Sequence, residues 1–394
     1  MLLPKILAEM LALPTAPFVE DAVRDYVLTA CGRLPGVTVK PDRWGNLLAR
    51  YSRSPRAKRP PVFTAHMDHP GFCALAMAPG NQLRAAFRGW VEPEYFVGTG
   101  VRFWNGSGWV LGRINRISKE APVYGMIGRT ARPEEVIVDI AGDVPVNMPG
   151  MWDLPEPALK NGNVHARGCD DIAGCAAMIA LLERLSTSKA KAAAYCLFTR
   201  AEEVGFIGAI GAAKSGTIPR RLPIIAIETS RALTPEMIGS GPVLRVGDKS
   251  SIFTPEITAF CNRMAQLHAK KDPDFKWQRK LMDGGTCEST AYYAYGYATT
   301  GVCLALGNYH NMNTQTRRIE TEYVSLRDWQ QMVDWFETIA LEAHRFPGDE
   351  KGVKQGLDER FAKHLRLLTP KVSRNRTGGR LRNSPSRRAA AKPR

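Results

Sequence analysis

Short apolar segments alternate with helical stretches through the second half of the chain. The segments at 193–199, 222–227 and 301–306 are continuously apolar, which is typical of buried strands. An alanine-rich helix is expected over 172–185 and a long amphipathic helix over 322–344. Strands that alternate with helices build a sheet covered on both faces. The sequence therefore predicts a three-layer αβα sandwich with a mixed, mainly parallel sheet.

The pattern changes in the middle of the chain. Segments such as LRAAF, VRFW, WVLGRI and EVIVDI alternate with Gly, Pro and Asn turns, and no long helical period occurs. We therefore predict a small, mostly β domain inserted into the α/β domain. The predicted boundaries are 1–74 and 165–352 for the α/β domain, 75–164 for the insertion, 353–369 for a C-terminal helix and 370–394 for a disordered basic tail.

The formal net charge of +16 is concentrated at the C-terminus. Nine Lys and Arg residues and no acidic residue follow Pro370, and without them the net charge falls to +7. The tail is rich in Pro, Gly, Ser and Arg, so burial cannot offset the entropy of ordering it. Contact with nucleic acid is therefore expected only through this tail. A non-enzymatic, nucleic-acid-associated protein is the alternative of a different class.

Composition also limits where the protein works. No apolar run approaches the roughly 18 to 20 residues that a membrane span needs, and the first residues lack the features of a signal peptide. We therefore expect a cytoplasmic protein without a membrane partner. The eight cysteines form no CxxC pair, which argues against a disulfide framework and a thiolate zinc site.

Histidines and carboxylates adjoin several predicted strands. The candidates are His66 after PVFTA, Asp170 before a helix, Glu202 and Glu203 after YCLFTRA, Glu228 after PIIAI and His310 after GVCLAL through the loop GNYH. Carboxylates beside apolar strands are costly to desolvate unless a cation pairs with them. Mixed imidazole and carboxylate ligands suit zinc, cobalt or manganese, and a shared aspartate can hold two ions about 3.5 to 4 Å apart. The sequence therefore predicts a two-metal site.

Each of these motifs alone has an ordinary structural interpretation. His66 alone is typical of a hydrogen-bonded core histidine, and an aspartate such as Asp170 suits the N-terminus of a helix. The Glu202 and Glu203 pair suits a solvated helix start, and His310 a polar turn. Their joint placement at successive strand ends favours the metal site. Glu202, beside Glu203, is then the candidate general base.

The motifs HMDHPGF, GCDDIAG, AEEVGFIGA, IAIETS and GGTCEST and the loop around His310 resemble, in order and spacing, the tetrahedral (TET) aminopeptidases. These are glutamyl and leucyl aminopeptidases of the co-catalytic zinc metallopeptidases of clan MH. The resemblance covers about residues 5 to 345. It includes the insertion, which it implies is a small β-barrel-like lid and dimerisation domain. It implies an enzyme that removes N-terminal residues from peptides and forms homo-oligomers, from a dimer up to a dodecamer.

The resemblance also implies roles for individual residues. The implied ligands of two divalent ions, Zn or Co with Mn as a further option, are His66, Asp170, Glu203, Glu228 and His310. Asp170 would bridge the ions, and Asp68 would fix the ring of His66. Glu202 would act as the general base for a hydroxide that bridges the two ions.

This chain departs from the family pattern at four motif positions, one of which is Pro70, where the family usually has a branched apolar residue. Glu228 replaces the commoner Asp and keeps a carboxylate. His69 and Cys287 replace an acidic residue each, near the expected substrate, and are therefore predicted substrate contacts. An N-acyl amino-acid deacylase or carboxypeptidase of the same clan remains the alternative. In those relatives the extra domain follows the later acidic ligand, whereas here it falls between His66 and Asp170, which favours the TET branch.

Overall fold

The structure is a computed structural model that describes residues 2–121, 132–347 and 350–368. The chain divides into two compact units, Met1–Gly348 and Asp349–Arg394. In the second unit one helix spans Glu350–Leu368, so it begins before the predicted position 353. The predicted disordered tail, 370–394, lies outside the described residues.

Strands and helices are numbered in chain order. The strands are β1 (Val37–Pro41), β2 (Leu47–Ser52), β3 (Val62–His66), β4 (Gly71–Ala78), β5 (Gln82–Arg88), β6 (Gly100–Trp104), β7 (Trp109–Ala121), β8 (Arg132–Ile140), β9 (Pro149–Trp152), β10 (Ala158–Lys160), β11 (Asn163–Ala166), β12 (Ala193–Thr199), β13 (Ile224–Arg231), β14 (Val243–Asp248), β15 (Gln278–Met282), β16 (Thr299–Leu306), β17 (Met312–Asn313), β18 (Arg318–Ile319) and β19 (Glu322–Ser325). The helices are α1 (Lys5–Leu11), α2 (Asp21–Gly32), α3 (Ile172–Thr187), α4 (Ile207–Ser215), α5 (Pro255–Ala269), α6 (Glu288–Ala294), α7 (Leu326–Leu341) and, in the second unit, α8 (Glu350–Leu368). Short 3₁₀ helices lie at Pro93–Tyr95, Pro235–Met237, Tyr309–Asn311 and Ala343–Arg345.

The main sheet has eight strands in the order β1-β2-β12-β3-β13-β16-β14-β15. Its centre is parallel, from β12 through β3 and β13 to β16. The pairings of β2 with β12 and of β14 with β16 are antiparallel. The predicted mixed, mainly parallel sheet is therefore confirmed.

Helices cover both faces of this sheet. Successive side chains of a strand point to opposite faces, and in β3 Phe63 and Ala65 pack with residues of α1, α2, α3, α5 and α7. Val62, which directly precedes Phe63 and points to the opposite face, packs instead with residues of α4 and α6. All five residues of β3 are buried. The αβα sandwich is thus confirmed, with β3 at its centre.

The insertion is a closed antiparallel barrel with the strand order β4-β5-β8-β7-β6-β9. Aromatic side chains, including Phe72, Phe96 and Trp152, fill its interior. Gly150 is required there, because a Cβ at this position would lie 2.4 Å from the ring of Phe103. The barrel strands run from Gly71 to Trp152, and β10 and β11 pair with β19 instead. The predicted barrel-like insertion is confirmed.

Two boundaries differ from the prediction. Residues 322–325, predicted to begin a long helix, form β19, because they pair with β11. Helix α7 begins only after Ser325, whose side chain accepts a hydrogen bond from the backbone N–H of Asp328. Strand β13 also continues to Arg231, so Glu228 lies inside a strand rather than at its end. Among the described helices, none combines the length and the apolar character that crossing a membrane requires.

Candidate active site

The six side chains predicted to carry the chemistry lie together at one edge of the main sheet. They form two groups, and within each group the candidate ligand atoms lie within 4.8 Å of one another. The first group is His66, Glu202 and Glu228, and the second group is Asp170, Glu203 and His310. The parallel strands β3, β12 and β13 bring their carboxyl ends to this edge, which is where open α/β sheets place their sites.

In the first group the Nε2 atom of His66 faces carboxylate oxygens on several sides. It lies 3.5 Å from Asp170 Oδ1, 3.8 Å from Glu228 Oε2 and 3.9 Å from Glu202 Oε2. His66 is the last residue of β3, and Glu228 lies in the neighbouring strand β13. The first group is therefore positioned largely by the sheet itself.

In the second group the Nε2 atom of His310 lies 3.3 Å from Glu203 Oε2 and 3.8 Å from Asp170 Oδ2. Asp170 therefore presents Oδ1 to the histidine of the first group and Oδ2 to the histidine of the second. A carboxylate placed in this way can be shared by two cations. The side chains of Asp170 and His310 are nearly fully buried.

Hydrogen bonds determine which ring nitrogen of each histidine faces the carboxylates. The Nδ1 atom of His66 lies 3.0 Å from the carbonyl oxygen of Asp68, and Nδ1 of His310 lies 2.5 Å from that of Trp90. A carbonyl only accepts, so each Nδ1 carries a proton and donates it. In a neutral ring the Nε2 atom then carries a lone pair that faces carboxylate oxygens and is repelled by them. A cation bound between them removes this repulsion.

Among the residues of the two groups, three carboxylate oxygens are buried without a hydrogen-bond partner in the described part of the chain. They belong to Asp170 (Oδ1), Glu203 (Oε1) and Glu228 (Oε1). Burying an unpaired carboxylate is strongly unfavourable, and metal coordination is the usual compensation. The donor set of oxygen and imidazole nitrogen suits divalent ions such as zinc, cobalt or manganese. The residues present thus fit a metal centre.

The electrostatic environment is that of closely spaced buried acids. Burial raises the pKa of Glu202 well above its usual value, and the neighbouring carboxylates add to the increase while His66 opposes it. Burial likewise raises the pKa of Glu203. Burial lowers the pKa of His310 to about 4, so its ring is neutral near pH 7. Burial also disfavours the charged form of His66, but Glu202, Asp170 and Glu228 raise its pKa overall.

Asp68 lies behind both the histidine and the glutamate pair. Its carbonyl oxygen, rather than its carboxylate, accepts the hydrogen bond from His66 Nδ1, since Oδ1 is 3.7 Å away. The carboxylate instead accepts the backbone N–H of Glu202 at 3.0 Å and that of Glu203 at 3.1 Å. Asp68 therefore orients the histidine with its backbone and the glutamates with its side chain.

The two predicted substrate contacts lie away from any open surface. His69 is fully buried, with Nδ1 2.7 Å from the carbonyl of Asp170 and Nε2 3.0 Å from Asn311 Oδ1. Cys287 precedes α6, is 1% exposed, and donates its backbone N–H to Asp248. Burial raises the pKa of the Cys287 thiol. These placements favour structural roles for both side chains.

The sequence interpretation did not identify Glu322 or Trp90. Glu322 is fully buried and accepts the backbone N–H groups of Cys169, Asp170 and His310. Its position differs from the pattern used to find Glu202, Glu203 and Glu228, because Glu322 begins the segment EYVSL instead of following an apolar strand. Trp90 contributes a carbonyl oxygen, and a backbone contact of this kind has no signature in residue type.

Histidine and carboxylate side chains grouped in this way are typical of metal-dependent hydrolases. The family model for M42 glutamyl aminopeptidases matches residues 45–322, which is well over half of the chain. The chain therefore belongs to the M42 glutamyl aminopeptidase family and is a peptidase. Family membership and the two groups together support a metal-dependent aminopeptidase.

Individual relatives agree with this assignment. A candidate aminopeptidase of Acetivibrio thermocellus is 28% identical over 261 residues, which cover 63% of this chain and 73% of the relative. The TET1 peptidase of Pyrococcus horikoshii, which can assemble into a tetrahedron or a large octahedral shell, superposes with a TM-score of 0.69 at 21% identity, covering 86% of this chain and 99% of that one. The aminopeptidase APDkam598 of Desulfurococcus kamchatkensis has a TM-score of 0.69 at 20% identity, covering 86% and 94%. The fold is thus that of the TET peptidases.

Proposed function

We propose that the protein is a dinuclear metal-dependent aminopeptidase that hydrolyses N-terminal residues from peptides. The observation that carries the proposal is the placement of Asp170, whose two carboxylate oxygens face the histidines of the first and second groups. One carboxylate between two clusters of ligands is the arrangement that a two-metal site requires.

The proposal assigns one ion to each side of Asp170. His66 and Glu228 would hold one ion, and Glu203 and His310 the other, with zinc or cobalt preferred and manganese as an option. Two such ions supply Lewis-acid polarisation of the scissile carbonyl and lower the pKa of water. The protein contributes the fixed geometry: both imidazoles direct Nδ1 to a backbone carbonyl oxygen and Nε2 to the carboxylates.

Glu202 is the proposed general base. Its side chain is buried at the edge of the first group, and its pKa is raised by burial, so it can take a proton from the attacking water and return it to the departing amine. The backbone N–H of Glu202 is held by the carboxylate of Asp68, which fixes where this proton acceptor lies. Asp68 is therefore proposed to position the base.

The substitution Glu202→Gln tests this role. It keeps the shape of the side chain and removes its basicity, so kcat/KM should fall by about a hundredfold to ten-thousandfold. The rate is measured with aminoacyl anilides as substrates. The amount of bound metal, measured by elemental analysis, should stay at the wild-type level. Glu183→Gln, an exposed position on α3, is the matched control and should behave as wild type.

Two further comparisons separate the alternatives. Activity should be lost on chelation and restored by zinc or cobalt, and activity that survives complete metal removal would refute the proposal. Substrates with a free α-amine should be preferred over their N-acetylated counterparts. The opposite preference would identify a deacylase of the same fold.

A homo-oligomer is also part of the proposal. It is supported by the assemblies of the similar TET1 peptidase. Light scattering should therefore give a mass that is a multiple of the 43.5 kDa chain, and a monomer at working concentration would contradict it.

A further inference from the structure

Glu322 joins two distant segments that carry proposed ligands. Its Oε2 atom accepts the backbone N–H groups of Cys169 at 2.7 Å and Asp170 at 3.1 Å. Its Oε1 atom accepts the backbone N–H of His310 at 2.9 Å. The side chain comes from β19 and is fully buried. A single carboxylate therefore fixes Asp170 and His310 relative to each other.

The turn that presents His310 has a backbone that needs such support. Asn308, His310 and Asn311 have φ values of 53°, 52° and 65°, in the left-handed region. A non-glycine residue in this region costs on the order of 1 kcal/mol or more and persists where surrounding contacts hold it. Glu322 supplies one of these contacts directly to the amide of His310.

A second buried carboxylate makes the same kind of hydrogen bonds to the segment of Glu202 and Glu203. Asp68 accepts the backbone N–H groups of Glu202 and Glu203, as Glu322 does for Asp170 and His310. Charge-assisted hydrogen bonds of this type are stronger than neutral ones. Residues that orient metal ligands in this way commonly change metal affinity by about 10- to 100-fold when they are replaced.

We propose that Glu322 is a positioning residue that sets the metal affinity of the second group by holding the backbones of Asp170 and His310 at a fixed separation. This inference rests on the proposed dinuclear site. Glu322 is not a ligand in this proposal, because it belongs to neither group of candidate ligands and its oxygens accept backbone N–H groups.

The test is a Co²⁺ titration of the metal-free full-length protein, followed by visible absorption and equilibrium dialysis. Glu322→Gln places an amide N–H₂ against backbone donors, so at least one of the two Co²⁺ dissociation constants should rise about 10- to 100-fold. The absorption spectrum of the weakened site should change as well, because its ligand geometry changes.

Asp328→Asn is the matched control. Asp328 is another buried carboxylate of the same region, and it accepts the backbone N–H groups of Gly239 and Gly241, which lie outside both groups. Its replacement removes comparable hydrogen bonds and should lower thermal stability while the Co²⁺ constants stay at wild-type values. Equal weakening of Co²⁺ binding in both variants would show a general stability effect and would overturn the inference.

Two other outcomes are decisive. Wild-type Co²⁺ constants in Glu322→Gln would refute the positioning role and leave the dinuclear site intact. A wild-type protein that binds no Co²⁺ would refute the dinuclear site and, with it, this inference. If Glu322→Gln does not fold, Glu322→Asp is measured by the same criteria, because its shorter side chain keeps the charge but cannot span both segments.

Discussion

The first group and the second group are built on different kinds of backbone. His66 and Glu228 lie in the neighbouring parallel strands β3 and β13, each two residues beyond the last paired residues, Thr64 and Ala226. His310 lies in a left-handed turn, and its ring is held by the carbonyl of Trp90 in the connection between β5 and β6 of the barrel. The sheet thus positions one group by its register, whereas the other depends on Glu322 and on the inserted barrel.

Replacing Asp170, whose carboxylate faces the histidines of both groups, should have the largest effect. Asp170→Asn weakens the one carboxylate that faces both histidines. Metal-ion stabilisation of the transition state is worth several kcal/mol, so kcat/KM should fall on the order of a thousandfold or more. Elemental analysis should show fewer than two ions per chain. Two tightly bound ions with near-normal activity would show that the groups are independent.

Stability should depend on pH in the metal-free protein. Burial raises the pKa values of Glu202 and Glu203, and the surrounding carboxylates raise that of His66 overall. At these groups the folded state therefore keeps protons that the unfolded chain releases, and the free energy of unfolding falls as pH rises. His310 and His69 have lowered pKa values, so their contribution makes the free energy of unfolding rise with pH. This contribution is confined to pH values below about 6.5.

The measurement is urea unfolding from about pH 6.5 to about pH 9, because in this range the raised pKa values dominate. The metal-free protein should lose stability across the range, and Co²⁺ should flatten the dependence by pairing with the ionised carboxylates. If the groups differ as their backbones suggest, one and two equivalents of Co²⁺ should flatten it in two steps. A rise in the stability of the metal-free protein over this range would contradict the assignment of raised pKa values.

The smallest effect is expected at Cys287, which belongs to neither group. Its side chain is 1% exposed, so Cys287→Ala should cost about 1 kcal/mol of stability and leave KM within roughly twofold of wild type. Chemical denaturation and steady-state kinetics measure the two quantities. A large rise in KM without loss of stability would restore Cys287 as a substrate contact.

Much of the fold follows from sequence pattern. The apolar run at 193–199 coincides with β12, and the helix predicted over 172–185 begins at the same residue as α3. Buried parallel strands leave a signal of this kind because both of their faces are covered. The predicted start of α7 was wrong, because residues 322–325 form a strand that pairs with β11. This contact joins residues that are far apart in the sequence.

At the candidate site, too, sequence pattern predicts some features and misses those that depend on long-range contacts. His66, Glu228 and the Glu202 and Glu203 pair were found because polar residues beside apolar strands stand out. The carboxylate of Asp68 points to backbone amides instead of the histidine, a choice that local pattern does not determine. The carbonyl of Trp90 could not be predicted, because every residue has one.

The hydrogen bond from His310 to Trp90 bears on how freely the barrel can be exchanged. An insertion that contributes only a covering surface can be lengthened, shortened or replaced by that of a relative without disturbing the centre beneath it. Here the connection after β5 supplies the carbonyl oxygen that orients the ring of His310, a proposed metal ligand. A chimera whose foreign barrel lacks this contact should therefore change the ring orientation of His310. Replacing the insertion therefore requires a backbone that keeps the carbonyl oxygen of Trp90 in place.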